Sequence, residues 1–95
     1  MNRAELIQAL AGRAALTRAQ GAKVVEALFG VTDGIISQAL RDGDKVNITG
    51  FGSFVARHRA ARTGRNPRTG KEIQIAASTS PVFRGGKGLK DSLSG

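Results

Sequence analysis

The chain has 95 residues, enough for one domain, and it lacks cysteine, which excludes disulfides and thiolate metal sites. Its first residues are too polar for a secretory signal and no apolar run approaches the roughly 20 residues that span a bilayer, so we expect a soluble cytoplasmic protein. The formal charge of +8 lies almost wholly in residues 57–95, where nine Lys or Arg accompany two Asp or Glu. Such a concentration of positive charge predicts a polyanionic partner, with nucleic acid ahead of anionic membrane or acidic protein.

Two helices are predicted in the first 43 residues. Asn2, followed three residues later by Glu5, fits a helix N-cap and precedes apolar residues at helical spacing. Thr17 with Gln20 repeats that signature. A 3.6-residue apolar period then continues until Gly43, which predicts one long second helix of around six turns.

Three glycines, Gly21, Gly30 and Gly34, fall inside this predicted second helix. Each costs about 0.8 to 1 kcal/mol relative to alanine, so tertiary packing has to stabilise the helix. Gly30 and Gly34 are one turn apart. They either let another helix approach closely or are simply tolerated.

From Lys45 the apolar period changes to two, which predicts strands. The stretch "KVNITGFGSFVA" reads as a β-hairpin with a tight glycine turn. The outgoing strand continues into "RAARTGRNPRTGKEIQI", turns at residues 66–70 and returns through Ile73 and Ile75. Pro81 is expected to end the sheet, and a short final helix follows it.

The segment around residues 57–75 has almost nothing to bury and must protrude. At about 3.3 Å per residue, its outgoing strand spans roughly 30 Å. Spacings of two and three residues between its basic side chains predict charge on both faces of the ribbon. A thin cationic ribbon suits a groove with phosphates on both walls, and a narrow minor groove has the most negative potential.

The sequence contains no recognisable catalytic or metal site. The single histidine, His58, lies between Arg57 and Arg59 without a second ligand, which favours an exposed strand residue. The run "GRNPRTGKE" has five residues between its glycines where a phosphate-binding P-loop has four, and Glu72 replaces the Mg²⁺ ligand. All four aromatic residues are Phe and none lies between residues 55 and 82, which favours duplex binding over base stacking.

Pro67, at the tip of the predicted ribbon, has two interpretations. A proline in a turn fixes φ and needs no further role. A rigid apolar wedge at the end of a cationic ribbon can also enter between base pairs and kink a duplex. The residues alone leave both open.

Three stretches together resemble a known family. They are "MNRAELI", "GFGSFVARHRAARTGRNPRTGKEIQI" and "PVFRGGKGLKDSL", which lie along nearly the whole chain. On these motifs the sequence is similar to the HU/IHF family of bacterial histone-like DNA-bending proteins, and closer to HU than to integration host factor.

The resemblance implies an α+β fold. Two N-terminal helices, a three-stranded antiparallel sheet with a long protruding β-ribbon arm and a short C-terminal helix would form an intertwined homodimer. Residues 1–95 would be a single domain, with a helical dimerisation body at 1–43, a sheet at 45–83, an arm at about 57–75 and a final helix at about 84–93. Two features depart from the family pattern. The segment between Phe29 and Gly43 is longer by about four residues, close to one helical turn, and Gly85 and Gly88 replace the usual helix formers of the last helix, which predicts a less rigid helix.

The resemblance also implies the site residues. The two arms would embrace the DNA minor groove, with Pro67 intercalating at each tip. The other residues lining the groove would be Arg57, Arg59, Arg62, Arg65, Asn66, Arg68 and Lys71. Flanking phosphates on the body would be held by Arg3, Arg84, Lys87 and Lys90. The expected dimer core contains Leu28, Phe29, Ile36, Leu40, Phe51, Phe54 and Phe83.

The expected function is therefore non-enzymatic, largely sequence-independent binding and bending of double-stranded DNA, in support of nucleoid compaction. No cofactor, metal, membrane or small-molecule substrate is expected. Pairing with a paralogous subunit in place of a second copy is an open alternative. Two other functions remain open: a site-specific bender of the integration host factor type and a structural RNA-binding protein.

Overall fold

The computed structural model describes all 95 residues, and the chain divides into two compact units, Met1–Asp42 and Gly43–Gly95. The first unit consists of the helices α1 (Arg3–Arg13), α2 (Arg18–Phe29) and α3 (Ile35–Arg41). The second unit consists of the strands β1 (Val46–Ile48), β2 (Gly52–Arg59), β3 (Arg62–Arg65), β4 (Glu72–Ile75) and β5 (Ser78–Gly85), followed by helix α4 (Lys87–Ser94). The predicted α+β class is confirmed. None of the helices combines the length and the apolar character that a bilayer crossing requires.

Both predicted helix starts are confirmed by their caps. The Asn2 side chain accepts a hydrogen bond from the Glu5 amide at 2.9 Å. At the start of α2, the Thr17 hydroxyl accepts from the Gln20 amide at 3.1 Å, while the Gln20 side chain accepts from the Thr17 amide at 2.8 Å. This reciprocal capping box satisfies two amides that the first helical turn leaves without partners.

The prediction of one long second helix was wrong, because the chain leaves helical geometry between Gly30 and Gly34. Gly30 is the C-cap of α2 and Gly34 the N-cap of α3, and neither has the backbone angles of a helix. The first unit therefore has three helices where two were predicted. Glycine destabilises a helix, and two of them one turn apart permit the break. The apolar period did not reveal it, because an interruption of about one helical turn leaves the periodicity nearly unchanged.

Close approach of two helices does occur, but at Gly21. A Cβ atom at this position would lie 3.1 Å from the Ile7 carbonyl oxygen and 3.3 Å from the Ala11 side chain. The missing side chain lets α2 pack against α1. Neither interpretation of Gly30 and Gly34 as residues inside a helix holds.

The main sheet is antiparallel in the order β1-β2-β5, with β2 in the centre. The predicted hairpin between β1 and β2 is confirmed, and the Phe51 amide closes its turn on the Ile48 carbonyl at 2.9 Å. Gly52 has a φ of +155° and lies directly against Phe83, where a side chain would collide. The absence of a side chain at Gly52 leaves room for the rings of Phe54 and Phe83, which pack in a tilted arrangement with their centroids 5.0 Å apart.

The end of the sheet differs from the prediction. Pro81 does not terminate it, since β5 continues to Gly85 and pairs with β2 throughout. A proline is compatible with this position because β5 is an edge strand. On its open side there is no neighbouring strand to which the missing amide would have donated. Consequently the last helix begins at Lys87 and not at about residue 84.

Helix α4 is fixed to the turn between β1 and β2 by its first residues. The Gly86 amide donates to the Phe51 carbonyl at 2.8 Å, and the Leu89 amide donates to the Gly50 carbonyl at 2.9 Å. A Cβ atom at Gly88 would lie 2.9 Å from the Gly50 oxygen. The glycine expected to loosen the helix therefore permits the backbone approach that holds it in place.

The isolated chain has almost no core. Val25, at 2% exposure, is the buried apolar side chain of the structure, although 40% of the residues are hydrophobic. Large apolar side chains in both units remain partly or largely exposed. Exposed apolar surface of this extent is typical of a protein interface.

Replacement of Gly88 by alanine tests the packing of α4. We expect Gly88→Ala to lower the free energy of unfolding by about 1–3 kcal/mol, because the new Cβ forces the helix away from Gly50. Gly12→Ala is the matched control: Gly12 lies in α1 with no atom within 4 Å of its Cβ position, so the substitution should stabilise the helix by about 0.5–1 kcal/mol. Urea unfolding followed by circular dichroism measures both. Stabilisation by Gly88→Ala would contradict the packing argument.

Candidate nucleic-acid interface

The predicted arm is a two-stranded ribbon that extends the β2–β5 pair. Arg59 lies opposite Ser78 at the end of that pair, and Arg62 lies opposite Ile75 at the start of the β3–β4 pair. Both strands advance by three residues between these points, so the register is the same on either side of the interruption. The ribbon therefore has no bulge, and its alternation of side chains continues from the sheet to the tip.

The tip of the ribbon is a closed turn between Asn66 and Lys71. The Asn66 amide donates to the Lys71 carbonyl at 2.9 Å, and the Gly70 amide donates to the Asn66 carbonyl at 2.7 Å. The Asn66 side chain accepts from the Arg68 amide at 2.9 Å, which holds the backbone on both sides of Pro67. Gly70 has a φ of +71°, a left-handed conformation that glycine adopts without strain. The turn predicted at residues 66–70 is confirmed.

The register divides the ribbon into two chemically different faces. In an antiparallel ladder, residues directly opposite each other point to the same face. One face, the polar face, carries Arg57, Arg59 and Arg65, together with Thr63, Glu72, Gln74, Ser78 and Ser80. Within the main sheet the same face continues through the Val55–Val82 pair to Arg84. The other, the isoleucine face, carries His58, Thr79, Arg62, Gly64, Ile73 and Ile75. Charge on both faces was predicted correctly, but the polar face holds most of it.

Gly64 fits the isoleucine face for a steric reason. It lies opposite Ile73, and a Cβ atom at this position would come within 2.8 Å of the terminal methyl group of Ile75. The missing side chain lets Ile75 cover the backbone of β3. This contact half-buries Ile75. The isoleucine face therefore provides the small apolar packing within the arm, and the polar groups of the arm lie mostly on the opposite face.

The basic side chains of the second unit are free of intramolecular partners. None of the nine Lys and Arg residues between Arg57 and Lys90 forms an ion pair, and their side chains donate no hydrogen bond within the chain. They are exposed, as is Pro67. Glu72, opposite Arg65, is the single acidic residue among the six basic residues of the arm, so most of the arm's positive field is available to an anion.

The predicted body residues lie at three places. Arg84 is in the last part of β5, opposite Ser53. Lys87 and Lys90 lie in α4, and the Lys90 stem passes 3.6 Å from the Cβ position of Gly85. Arg3 is the first residue of α1, in the other unit.

Arg3 differs from the other predicted contacts because it already has a partner. Its guanidinium group forms the single ion pair of the structure, with the carboxylate of Glu26 in α2. Both side chains remain more than half exposed. A phosphate at this position would compete with Glu26 for the same donor, so the pair opposes the expected role of Arg3.

His58 takes part in a cross-strand contact. Its Nδ1 atom lies 3.1 Å from the Thr79 hydroxyl, directly opposite in the ladder. No group of three or more His, Cys, Asp or Glu side chains comes close enough to hold a metal ion. The histidine therefore behaves as the exposed strand residue that its sequence context predicted.

Sequence reasoning missed four uncharged residues on the polar face. Thr63, Gln74, Ser78 and Ser80 lie on the same side of the ribbon as the arginines, and all are exposed. Their hydroxyl and amide groups can donate and accept hydrogen bonds. The alternation of side chains along each strand assigns these residues to the arginine side only when the register between the strands is known. That register depends on the four residues that close the tip between Asn66 and Lys71.

Comparison with known proteins identifies relatives over essentially the full length. The sequence model of the family described as Bacterial DNA-binding protein matches residues 1–94. The chain is 50% identical over 93 residues to DNA-binding protein HU-alpha of Vibrio cholerae serotype O1, covering 98% of this chain and 99% of the relative. It is 55% identical over 93 residues to DNA-binding protein HU-alpha of Aeromonas hydrophila, with the same coverage.

Two solved structures have a similar fold. One is the Anabaena HU–DNA cocrystal structure, with a TM-score of 0.81 and 39% identity over 99% of this chain and 98% of that chain. The other is an HU mutant from Thermotoga maritima, with a TM-score of 0.67 and 28% identity over 98% of this chain and 99% of that chain. The order of helices, sheet and arm described above is thus shared along the whole chain.

The Arg3–Glu26 pair generates a test. We expect Glu26→Gln to raise affinity for duplex DNA by a factor of about 2–5, because it frees Arg3 from an exposed ion pair worth at most about 1 kcal/mol. Glu5→Gln removes the same charge from α1 without touching Arg3 and should have a smaller effect. Fluorescence anisotropy at constant salt measures both. Equal gains in the two variants would mean that net charge alone is responsible.

Proposed function

Because the chain belongs to the family of bacterial DNA-binding proteins that includes HU, we propose that it binds and bends double-stranded DNA with little sequence preference and without catalysis. The observation that carries the proposal is the ribbon's polar face. This face presents arginines that form no ion pair, among hydroxyl and amide groups and one carboxylate, that of Glu72. The family relationship and the arrangement of this face support the same activity.

The polar face has the chemistry of a minor-groove ligand. Arginine side chains on a ribbon two strands wide reach phosphates on either wall of the groove while their stems follow its floor. The minor groove distinguishes A·T from G·C pairs but hardly their orientation. Contacts from Arg57, Arg59, Arg65 and Asn66 therefore favour general binding over recognition of one site. Arg62, Arg68 and Lys71 add charge at the edges and the tip.

Affinity should come mainly from phosphate neutralisation. Each phosphate contact releases condensed counterions, so binding weakens steeply as salt increases. On the body of the second unit, Arg84, Lys87 and Lys90 are exposed and unpaired, which suits them to hold flanking phosphates. Arg3 would join them when Glu26 releases it.

Bending is assigned to Pro67. It is exposed at the ribbon tip, and the hydrogen bonds of Asn66, the residue before it, with Arg68, Gly70 and Lys71 keep the turn closed. An apolar ring held at the end of a cationic ribbon can enter between base pairs, unstack them and kink the duplex. Sites that are already nicked or flexible would be preferred, since prior distortion lowers the deformation energy.

The active form is a homodimer. A chain whose buried apolar side chain is Val25 alone cannot be stable by itself, and exposed or half-buried apolar residues occur in both units. A second copy of the chain would cover them. The proposed dimer core contains Leu28, Phe29, Ile36, Leu40, Phe51, Phe54 and Phe83. Two such subunits present two arms to one duplex, and binding along many duplexes compacts the nucleoid in the cytoplasm.

The two faces of the ribbon generate a test of DNA binding. We expect Arg65→Ala to weaken binding about equally on two unrelated duplexes and to lower the salt slope by about one for every phosphate that the arms no longer neutralise. Arg62→Ala should have a smaller effect, because Arg62 lies on the isoleucine face. Lys23→Ala removes the same charge from an exposed position of α2 and should leave the slope unchanged. A slope unaffected by Arg65→Ala, or tight binding of only one duplex, would contradict the proposal.

The wedge generates a separate test. We expect Pro67→Ala to reduce the bend of a bound duplex, measured by energy transfer between its labelled ends, more than it reduces affinity. Pro81→Ala is the matched control, because Pro81 is the other proline of the chain and lies in edge strand β5, away from the tip. It should leave the bend unchanged. Equal bending by wild type and Pro67→Ala would show that the proline serves only the turn.

A further inference from the structure

The segment that interrupts the long helix, Gly30-Val31-Thr32-Asp33-Gly34, forms a turn held by its own hydrogen bonds; we call it the 30–34 turn. The Gly34 amide donates to the Gly30 carbonyl at 3.1 Å, and the Ser37 hydroxyl donates to the same oxygen at 2.7 Å. The Arg41 guanidinium group donates to the Thr32 carbonyl at 2.8 Å. These bonds attach both ends and the middle of the turn to helix α3.

The glycines leave the turn little freedom to take another shape. Both are buried. A Cβ atom at Gly30 would lie 2.7 Å from the Glu26 carbonyl oxygen, and one at Gly34 would collide with the backbone of Gly30. The two ends of the turn are thus in direct backbone contact. A turn fixed in this way presents its outermost side chain in a defined position.

That outermost side chain is apolar. Val31 is 87% exposed, and the neighbouring Ile35 is 60% exposed. From Leu28 to Leu40 the sequence contains a single charged residue, Asp33. A projecting valine in a stretch with almost no charge does not suit a phosphate backbone; it is typical of the centre of a protein interface. The stretch is also continuous with Leu28, Phe29, Ile36 and Leu40 of the proposed dimer core.

We propose that the 30–34 turn makes this chain pair selectively with a second copy of itself, to the exclusion of related subunits that lack the turn. The inference rests on the homodimer of the proposed function. Close packing requires that a fixed projection meet a matching recess. The family resemblance predicts that other members are shorter by about four residues here. Such a subunit would have no counterpart of the projecting Val31, and the mismatch disfavours the mixed pair.

A variant lacking residues 30–33 tests the selectivity. The deletion joins Phe29 to Gly34 and removes about one helical turn, so the apolar face stays in register. Wild-type and shortened chains are unfolded together in equal amounts, refolded and examined by native mass spectrometry. Random pairing gives half mixed dimers, whereas we expect mixed dimers to be fewer than about a tenth of the total. Pairing at the random ratio would overturn the inference.

A point substitution gives a second measurement that does not depend on the deletion folding. We expect Val31→Lys to raise the dimer dissociation constant at least about tenfold, because a charge would replace an apolar contact at the interface. Leu93→Lys is the matched control, since Leu93 is 80% exposed and lies in α4. It should leave the constant unchanged. Sedimentation equilibrium measures all three proteins.

The outcomes separate the two proposals. A wild-type dimer that is insensitive to Val31→Lys would overturn the role of the turn and leave the homodimer intact. A wild-type chain that sediments as a monomer would overturn both. If the shortened chain fails to fold, the effect of Val31→Lys decides.

Discussion

The antiparallel register of the ribbon is the constraint on which the proposed DNA-binding surface depends. It is unchanged between the β2–β5 and β3–β4 pairs, so one alternation of side chains extends from the sheet to the tip. Because opposite residues point to one face, a shift of a single residue on one strand would move its arginines to the other side. The Asn66 hydrogen bonds at the tip and the glycine at position 52 in the sheet fix the two ends of this register.

A ribbon with this charge and so little apolar surface contributes almost nothing to the stability of the chain. Its small internal packing is Ile75 over Gly64, while its five arginines and one lysine form no ion pair and face a single acidic residue, Glu72. The rest of the protein has to compensate, yet one chain buries only Val25 fully among its apolar residues. The proposed function of the arm and the proposed second subunit thus have the same physical origin: residues that bind an anion are unavailable to a core.

Glycines determine several of the contacts that distinguish this chain. Gly21 allows α1 and α2 to pack closely, Gly88 allows α4 to lie against Gly50, and Gly30 and Gly34 meet at the interruption of the second helix. In each case a backbone atom occupies the space of a side chain. Helix propensity alone treats all of these residues as unfavourable. Their surroundings show three different requirements: helix packing at Gly21, contact between α4 and the β1–β2 turn at Gly88, and the close turn between Gly30 and Gly34.

The sequence by itself determined the elements whose signals are local: the caps at Asn2 and Thr17, the change of apolar period at Lys45, the turn at residues 66–70 and the concentration of charge after residue 57. These signals depend on neighbours within a few residues along the chain. The three sequence motifs, in addition, indicated the family. Tertiary structure decided the rest. A break of about one turn leaves the apolar period intact, so residues 30–34 read as helix; only the folded chain shows Val31 exposed there. Likewise, Arg65 and Gln74 share a face while Arg62 does not, because pairing between strands is set by the closed turn and is not encoded in either strand alone.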